Sequence, residues 1–431
     1  LNKRLFTACV FLLLSFNVVP AACGGNAAAP AATCVAVTKT IDIGGPAIIN
    51  RTKGEEIDSF METSDRGFIF IGQSRPMKNG QKNIYVVRAG PGGELQWEKY
   101  FGQNGKVSQA ADILESNNGY IIAGGLNGHP FLLAIDKSGG FLWDKAYFED
   151  EAGGCIRSIT ENDGREIFAA GYVREKEGSK KSILIMKISA ADGAVISSRE
   201  YAGADGRDAE AYKIMRNGAD GCEVSGYSYS SAVLFGIDGA LDIKKVLSID
   251  TDNKFGDISI QELVKGAETP AEEIKDTGER KVAGAAIFTD FDIDAGGVNA
   301  IFYNFFNFKN RHCVVCRTDS NPLPAGSGFC IPMEAASFAE KNGRELFVIT
   351  DGEIAVFNLV SGRCEFKTGT AIAAGKNQVK LSKIIVTGDG NIAILGNVTA
   401  PSIVSNSGMS FETVETRAFI TKMTPELKKI W

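Results

Sequence analysis

"NNGYIIAGG", residues Asn117–Gly125, is a polar turn, a short apolar run and a closing glycine. The same grammar appears earlier in "DRGFIFIGQ", 65–73, and later in "NDGREIFAAG", 162–171. Apolar segments of this length, rich in Ile, Phe and Tyr and bounded by Gly, Asn and Asp, read as strands joined by hairpins. Their return at intervals makes the chain a repeat, and the repeat decides the fold.

Taking the closing glycine as a marker, the units fall at Gly72, Gly124, Gly171, Gly226, Gly284 and Gly396. The last interval is double the others. "KNGRELFVIT", 341–350, fills it, with Thr350 in the glycine's place, which makes seven units. Each unit opens on an alternating segment such as "SQAADILES", 108–116, and passes through the apolar run. A second apolar run follows, as in "PFLLAID", and the unit ends beyond a Gly turn, as in "GGFLWDKAYF". Four strands per repeat of this length is the grammar of a propeller blade. Helical periodicity is scarce, and the charged stretch 260–280, holding Pro270, reads as a loop insertion in the fifth unit.

Trp97, Trp143 and Trp431 occupy the same place in their units, just after the last hairpin turn. A large flat side chain recurring there is expected to pack between adjacent blades. Trp431 ends the sequence, so the seventh unit lacks a fourth strand, and the alternating segment 34–45 is expected to supply it. Such pairing leaves no open sheet edge at the junction. The expected fold is therefore all-β: a seven-bladed β-propeller over residues 34–431, closed by pairing of the N-terminal strand with the last blade.

The stretches "NNGYIIAGG", "FLLAIDKSGGFLWDKAYF" and "RGFIFIGQS…IYVVRAGPGGELQWEKYFG" resemble the blade repeat of exported bacterial β-propeller proteins, many of them lipoproteins. The order apolar run, Asp, Gly, Trp is also similar to quinoprotein-type propellers and to the related assembly lipoprotein of the outer membrane. Units one to four carry the resemblance well, and five and six weakly. It implies the fold; propellers host many activities, so it implies no function by itself.

The first residues read as an address. Lys3 and Arg4 precede the apolar run 5–19, and small residues follow. That is the order of an export signal, here 1–22, with an apolar run short for a membrane span. Val19-Pro20-Ala21-Ala22-Cys23 resembles the bacterial lipoprotein box, which makes Cys23 the lipidated residue; ordinary cleavage after Ala21 is the competing reading. Residues 23–33 then form a flexible tether. The expected location is the outer membrane or cell surface through a lipid anchor, with a soluble periplasmic or secreted form as the alternative.

The chain of 431 residues has a net charge of −6 with both signs interspersed, and no basic block exists to neutralise phosphates, which argues against nucleic acid. Two His residues, His129 and His312, argue against a His-built metal site or a Ser-His-Asp machine. Asp290, Asp292 and Asp294 alternate, so on an extended segment their carboxylates share one side, an arrangement that suits Ca²⁺; a solvated loop rim is the plainer reading. Cys313 and Cys316, with Cys330 and Cys364, are disulfide candidates in an exported chain. Tyr227 and Tyr229, among Ser228, Ser230 and Ser231, form a candidate binding loop, since tyrosines with small hydroxyls suit protein or carbohydrate recognition. No cofactor beyond Ca²⁺ is expected. The function expected from these features is non-catalytic binding or scaffolding of a protein or glycan at the cell envelope. The alternative is a polysaccharide hydrolase with carboxylates in the propeller funnel.

Overall fold

The computed structural model describes residues 37–43, 47–49, 55–76, 80–102, 108–150, 153–162, 165–203, 206–217, 221–228, 231–249, 255–257, 287–293, 300–307, 311–318, 330–332, 337–341, 345–349, 352–360, 363–406 and 409–431. Among them there is no α-helix, and the strands group into seven sheets. Sheet 1 runs Glu56–Glu62, Phe68–Gln73, Ile84–Ala89 and Leu95–Phe101, each strand antiparallel to the next. Sheets 2 and 3 repeat this order over 108–146 and 153–201. Sheet 4 spans 209–249 and adds Phe255–Asp257 at its outer edge. Sheet 5 spans 287–332 and is described by its backbone. Sheet 6 begins at Ser337 and sheet 7 at Gln378. The first strands of successive sheets lie side by side, the seventh returning to the first, so the chain is a β-propeller with these strands innermost.

Packing explains why the second-strand runs are apolar throughout. In sheet 1, Phe68 and Phe70 join a core with Leu395 and Ile420 of sheet 7. Ile69 and Ile71, pointing the other way, join Ile122 and Leu133 of sheet 2. Every residue of Gly119–Leu126 is likewise buried. A strand sandwiched between two neighbouring sheets has no solvent face, so alternation disappears.

The recurring glycine has a distinct cause. Opposite it the first strand carries a β-bulge: between Ile57 and Ser59, Ala110 and Asp112, Ile156 and Ser158, Ala211 and Lys213, Leu381 and Lys383. The bulge tips a backbone carbonyl onto the facing strand. A Cβ at Gly72 would stand 1.8 Å from the Glu56 carbonyl oxygen, and one at Gly171 would stand 1.9 Å from that of Cys155. Only glycine fits there. In sheet 5 the same register place is taken by Phe305, opposite Phe288 at a bulge. The expected marker Gly284 precedes that sheet's first strand and lies outside the described residues. The fifth unit is thus displaced along the chain, which accounts for its weak likeness to the others. The insertion expected at 260–280 also lies outside the described residues.

The tryptophans fasten one sheet to the next, as expected. Trp431 lies over Gly93, Trp97 over Gly139, and Trp143 over Gly193, where added Cβ atoms would fall 2.6, 3.1 and 2.7 Å from ring carbons. These glycines also hold left-handed φ of 80°, 76° and 69°. Sheet 3 has Ser197 in the tryptophan's register place. Across from it, at φ 65°, sheet 4 has Leu241 instead of glycine, fully buried. The leucine packs into the core shared by sheets 3 and 4.

Closure follows the expected principle with different residues. Ala47–Ile48 pairs antiparallel with Phe419–Ile420 of sheet 7. The chain end shares that edge: the Ile430 amide donates to the Lys422 carbonyl at 2.8 Å, and the Thr421 hydroxyl donates to the Trp431 carbonyl at 2.9 Å. Of the segment expected to close the ring, 34–45, the described residues do not do so. Its part Val37–Asp42 runs parallel to Arg363–Ala373 on the outer edge of sheet 6. With the tail occupying half of the seventh sheet's fourth position, only a two-residue head strand is needed there.

Candidate functional site

At one end of the ring each first strand starts and each second strand finishes. Between sheets 3 and 4 this end carries a dense polar cluster. Glu210, next to the start of Ala209–Asn217, is buried to 1% exposure. Its carboxylate accepts from Arg157 Nε at 2.7 Å and from Lys181 Nζ at 2.5 Å. Arg157 is the bulge residue of the sheet 3 first strand, and Tyr212 is that of sheet 4. Removing a carboxylate from water is costly, and two charge-assisted bonds, one to each oxygen, offset that cost.

Tyrosines surround this pair. Lys181 Nζ stands 4.2 Å from the Tyr172 ring centroid, with the Arg157 and Arg174 guanidinium carbons at 5.6 and 6.0 Å. Arg157 is also 5.9 Å from the Tyr212 ring, which is 5.9 Å from the Tyr227 ring at a tilt of 33°. Burial, with Glu210 and Asp208 adding to it, pushes the Tyr227 phenol up to about 12. Burial also raises Tyr172 and Tyr212. All three phenols therefore stay protonated donors at neutral pH. Arg174 Nε is buried without a hydrogen-bond partner. Such an array can hold an anion against hydroxyls and ring faces.

Tyr227, one expected binding residue, is part of the cluster; Tyr229 lies outside the described residues, as do Asp294 and Cys23. Asp290 and Asp292 stand in Ile287–Ile293, opposite Asn304 and Phe302. Cys313 and Cys316 stand in Arg311–Thr318, whose Val315 is opposite Cys330; Cys364 belongs to sheet 6, opposite Leu359. The backbone thus groups three of these cysteines in one sheet. Among the described residues no three His, Cys, Asp or Glu side chains converge as a metal site. Cys155 and Cys222 are free and buried, and burial raises their thiols to about 11 and 12.

The sequence reading missed Arg157, Tyr172, Arg174, Lys181, Glu210 and Tyr212. One signal was available. Units three and four alone place tyrosine directly after the marker glycine, as Gly171-Tyr172 and Gly226-Tyr227, where Gln73, Gly125 and Asn397 follow elsewhere.

The bulge residues on the other described first strands that carry one are Asp58, Ala111, Thr289 and Ser382. Asp58 is exposed on the first strand of sheet 1, and partial desolvation, with Glu56 beside it, raises its carboxyl to about 6. A carboxyl whose folded pKa lies above its unfolded one opposes folding once ionised. Stability contributed by its protonated form is lost as pH rises through 6. Asp58→Asn is therefore expected to raise the melting temperature at pH 8, with the gain fading by about pH 4. Thermal melts of both proteins across that range check this.

No protein-family model matches the sequence, and no curated protein matches it. Likeness is found among solved structures. The quinohemoprotein alcohol dehydrogenase of Comamonas testosteroni is 11% identical with a TM-score of 0.46, over 88% of this chain and 78% of that one. The β-propeller domain of the trilobed protease of Pyrococcus furiosus, which has an open velcro topology, is 12% identical with a TM-score of 0.42, over 85% and 94%. BamB of Moraxella catarrhalis is 11% identical with a TM-score of 0.37, over 85% and 100%. These are β-propeller likenesses at a distance that carries no activity across. No helix of the described residues is long and apolar enough to cross a membrane.

Proposed function

We propose that this chain is an envelope-associated binding propeller, exported through residues 1–22, lipid-anchored at Cys23, and recognising a protein or glycan partner without chemical turnover. One observation carries the reading. The six described bulge positions hold Asp58, Ala111, Arg157, Tyr212, Thr289 and Ser382, a single carboxylate among mixed side chains. Hydrolysis of a glycosidic bond ordinarily needs two carboxylates flanking it. Aromatic and cationic side chains are instead gathered at the loop end between sheets 3 and 4, the kind of surface that recognition uses.

Two measurements test it. Cells expressing the chain are fed labelled fatty acid and fractionated. Label in the wild type and its loss in Cys23→Ala, with release of the protein from membranes, is the expected result; equal label in both sinks the anchor. Incubation with envelope polysaccharides should release no new reducing ends. Turnover abolished by Asp58→Asn would establish the hydrolase instead.

A further inference from the structure

The cluster between sheets 3 and 4 is unbalanced. Arg157, Arg174 and Lys181 crowd the Tyr172 ring, while Glu210 and Asp208 are the carboxylates beside them. Glu210 engages Arg157 and Lys181, and Asp208 accepts from the Lys181 backbone amide at 2.8 Å. Arg174 forms no ion pair among the described residues, and its Nε is buried with nothing to bond. A buried donor left unmade costs stability, and a ligand that accepts from it recovers that cost. Counting only these five described side chains, three cations face two carboxylates, and that surplus of one matches a monoanion better than a phosphate dianion. The whole chain carries −6, so this is a local reversal of sign against an acidic background.

Tyr227 feels the Arg174 charge, and the Tyr212 ring stands 5.9 Å from the Tyr227 ring at a tilt of 33°; both tyrosines are half-buried. Tyrosine faces accept the apolar face of a sugar ring, and phenols that remain protonated donate to its oxygens. We propose that this locus binds the carboxylate of a sugar acid within an acidic glycan, Arg174 taking the carboxylate and Tyr212 and Tyr227 the ring. This rests on the binding reading above and names its ligand class. Arg rather than Lys suits the role, because its planar fork meets both carboxylate oxygens.

The test is titration of the purified protein with polygalacturonate, its fully methyl-esterified form and polyglutamate. Expected are binding of polygalacturonate, competition by free galacturonate, an upward shift of the melting temperature with galacturonate, and at least about tenfold weaker binding in Arg174→Gln. Circular dichroism and the melting temperature of Arg174→Gln establish that it is folded; Arg174→Lys, which keeps the charge and loses the fork, should fall between. Equal binding of the methyl ester, displacement by polyglutamate at matched carboxylate, or unchanged binding by folded Arg174→Gln overturns the proposal. The two readings fail differently. Absent polygalacturonate binding removes the sugar acid alone, whereas cleavage of the polymer removes the non-catalytic reading and leaves the carboxylate contact standing.

Discussion

Gly124→Ala is expected to lower unfolding free energy by about 3 kcal/mol, while Gly125→Ala, one residue on, changes it by less than about 0.5 kcal/mol. Both glycines are buried in the same strand. A Cβ at Gly124 would meet the Gln109 carbonyl oxygen at 1.8 Å, and relief requires moving the first strand's backbone. A Cβ at Gly125 finds its nearest atom, the His129 carbonyl oxygen, at 3.6 Å. The contrast separates the bulge requirement from any general dislike of bulk in the core. Gly171→Ala and Gly226→Ala should resemble Gly124→Ala, with clearances of 1.9 and 2.1 Å to the Cys155 and Glu210 carbonyl oxygens. Urea unfolding reads the result as a shift in midpoint at constant slope. Equal midpoints for Gly124→Ala and Gly125→Ala would show that the bulge does not select glycine.

Glu210→Ala is expected to cost about 3 kcal/mol, the low end for breaking a buried ion pair, because Arg157 and Lys181 keep some contact with solvent. The loss has two parts. Two cations lose their shared acceptor, and three cations are left facing one another around Tyr172. Arg157→Met in the Glu210→Ala background should restore part of the stability, since it removes one of the uncompensated charges. A double-mutant cycle on chemical unfolding measures the coupling. Additive losses would mean that the three groups do not act as a unit. Glu210→Gln is the milder change, keeping an acceptor for one donor while discarding the charge.

Local pattern and tertiary contact contributed differently to what can be known of this chain. Strand identity, hairpin punctuation and the tryptophan positions are local, governed by apolar run length, turn residues and volume. They are therefore legible in "NNGYIIAGG" and in the placing of Trp97, Trp143 and Trp431. Where the signal thinned, in the fifth unit, the glycine marker misled. Phe305, not Gly284, stands in the marker's register place, and register is a property of strand pairing that spacing does not encode.

The ring's closure shows the same division. That the head must help complete the seventh sheet could be inferred from a unit short of one strand. Which residues do so depended on how far the tail from Lys429 to Trp431 folds back onto that edge, leaving room for Ala47 and Ile48 and sending Val37–Asp42 to sheet 6. The site was legible only at Tyr227. Arg157, Tyr172, Arg174, Lys181 and Glu210 come from three strands and a loop of two sheets and meet only because neighbouring blades share an interface near the axis. A charge on one strand finds its partner in the next unit along, and no pattern within a unit records that pairing; the packing of one blade against another decides it.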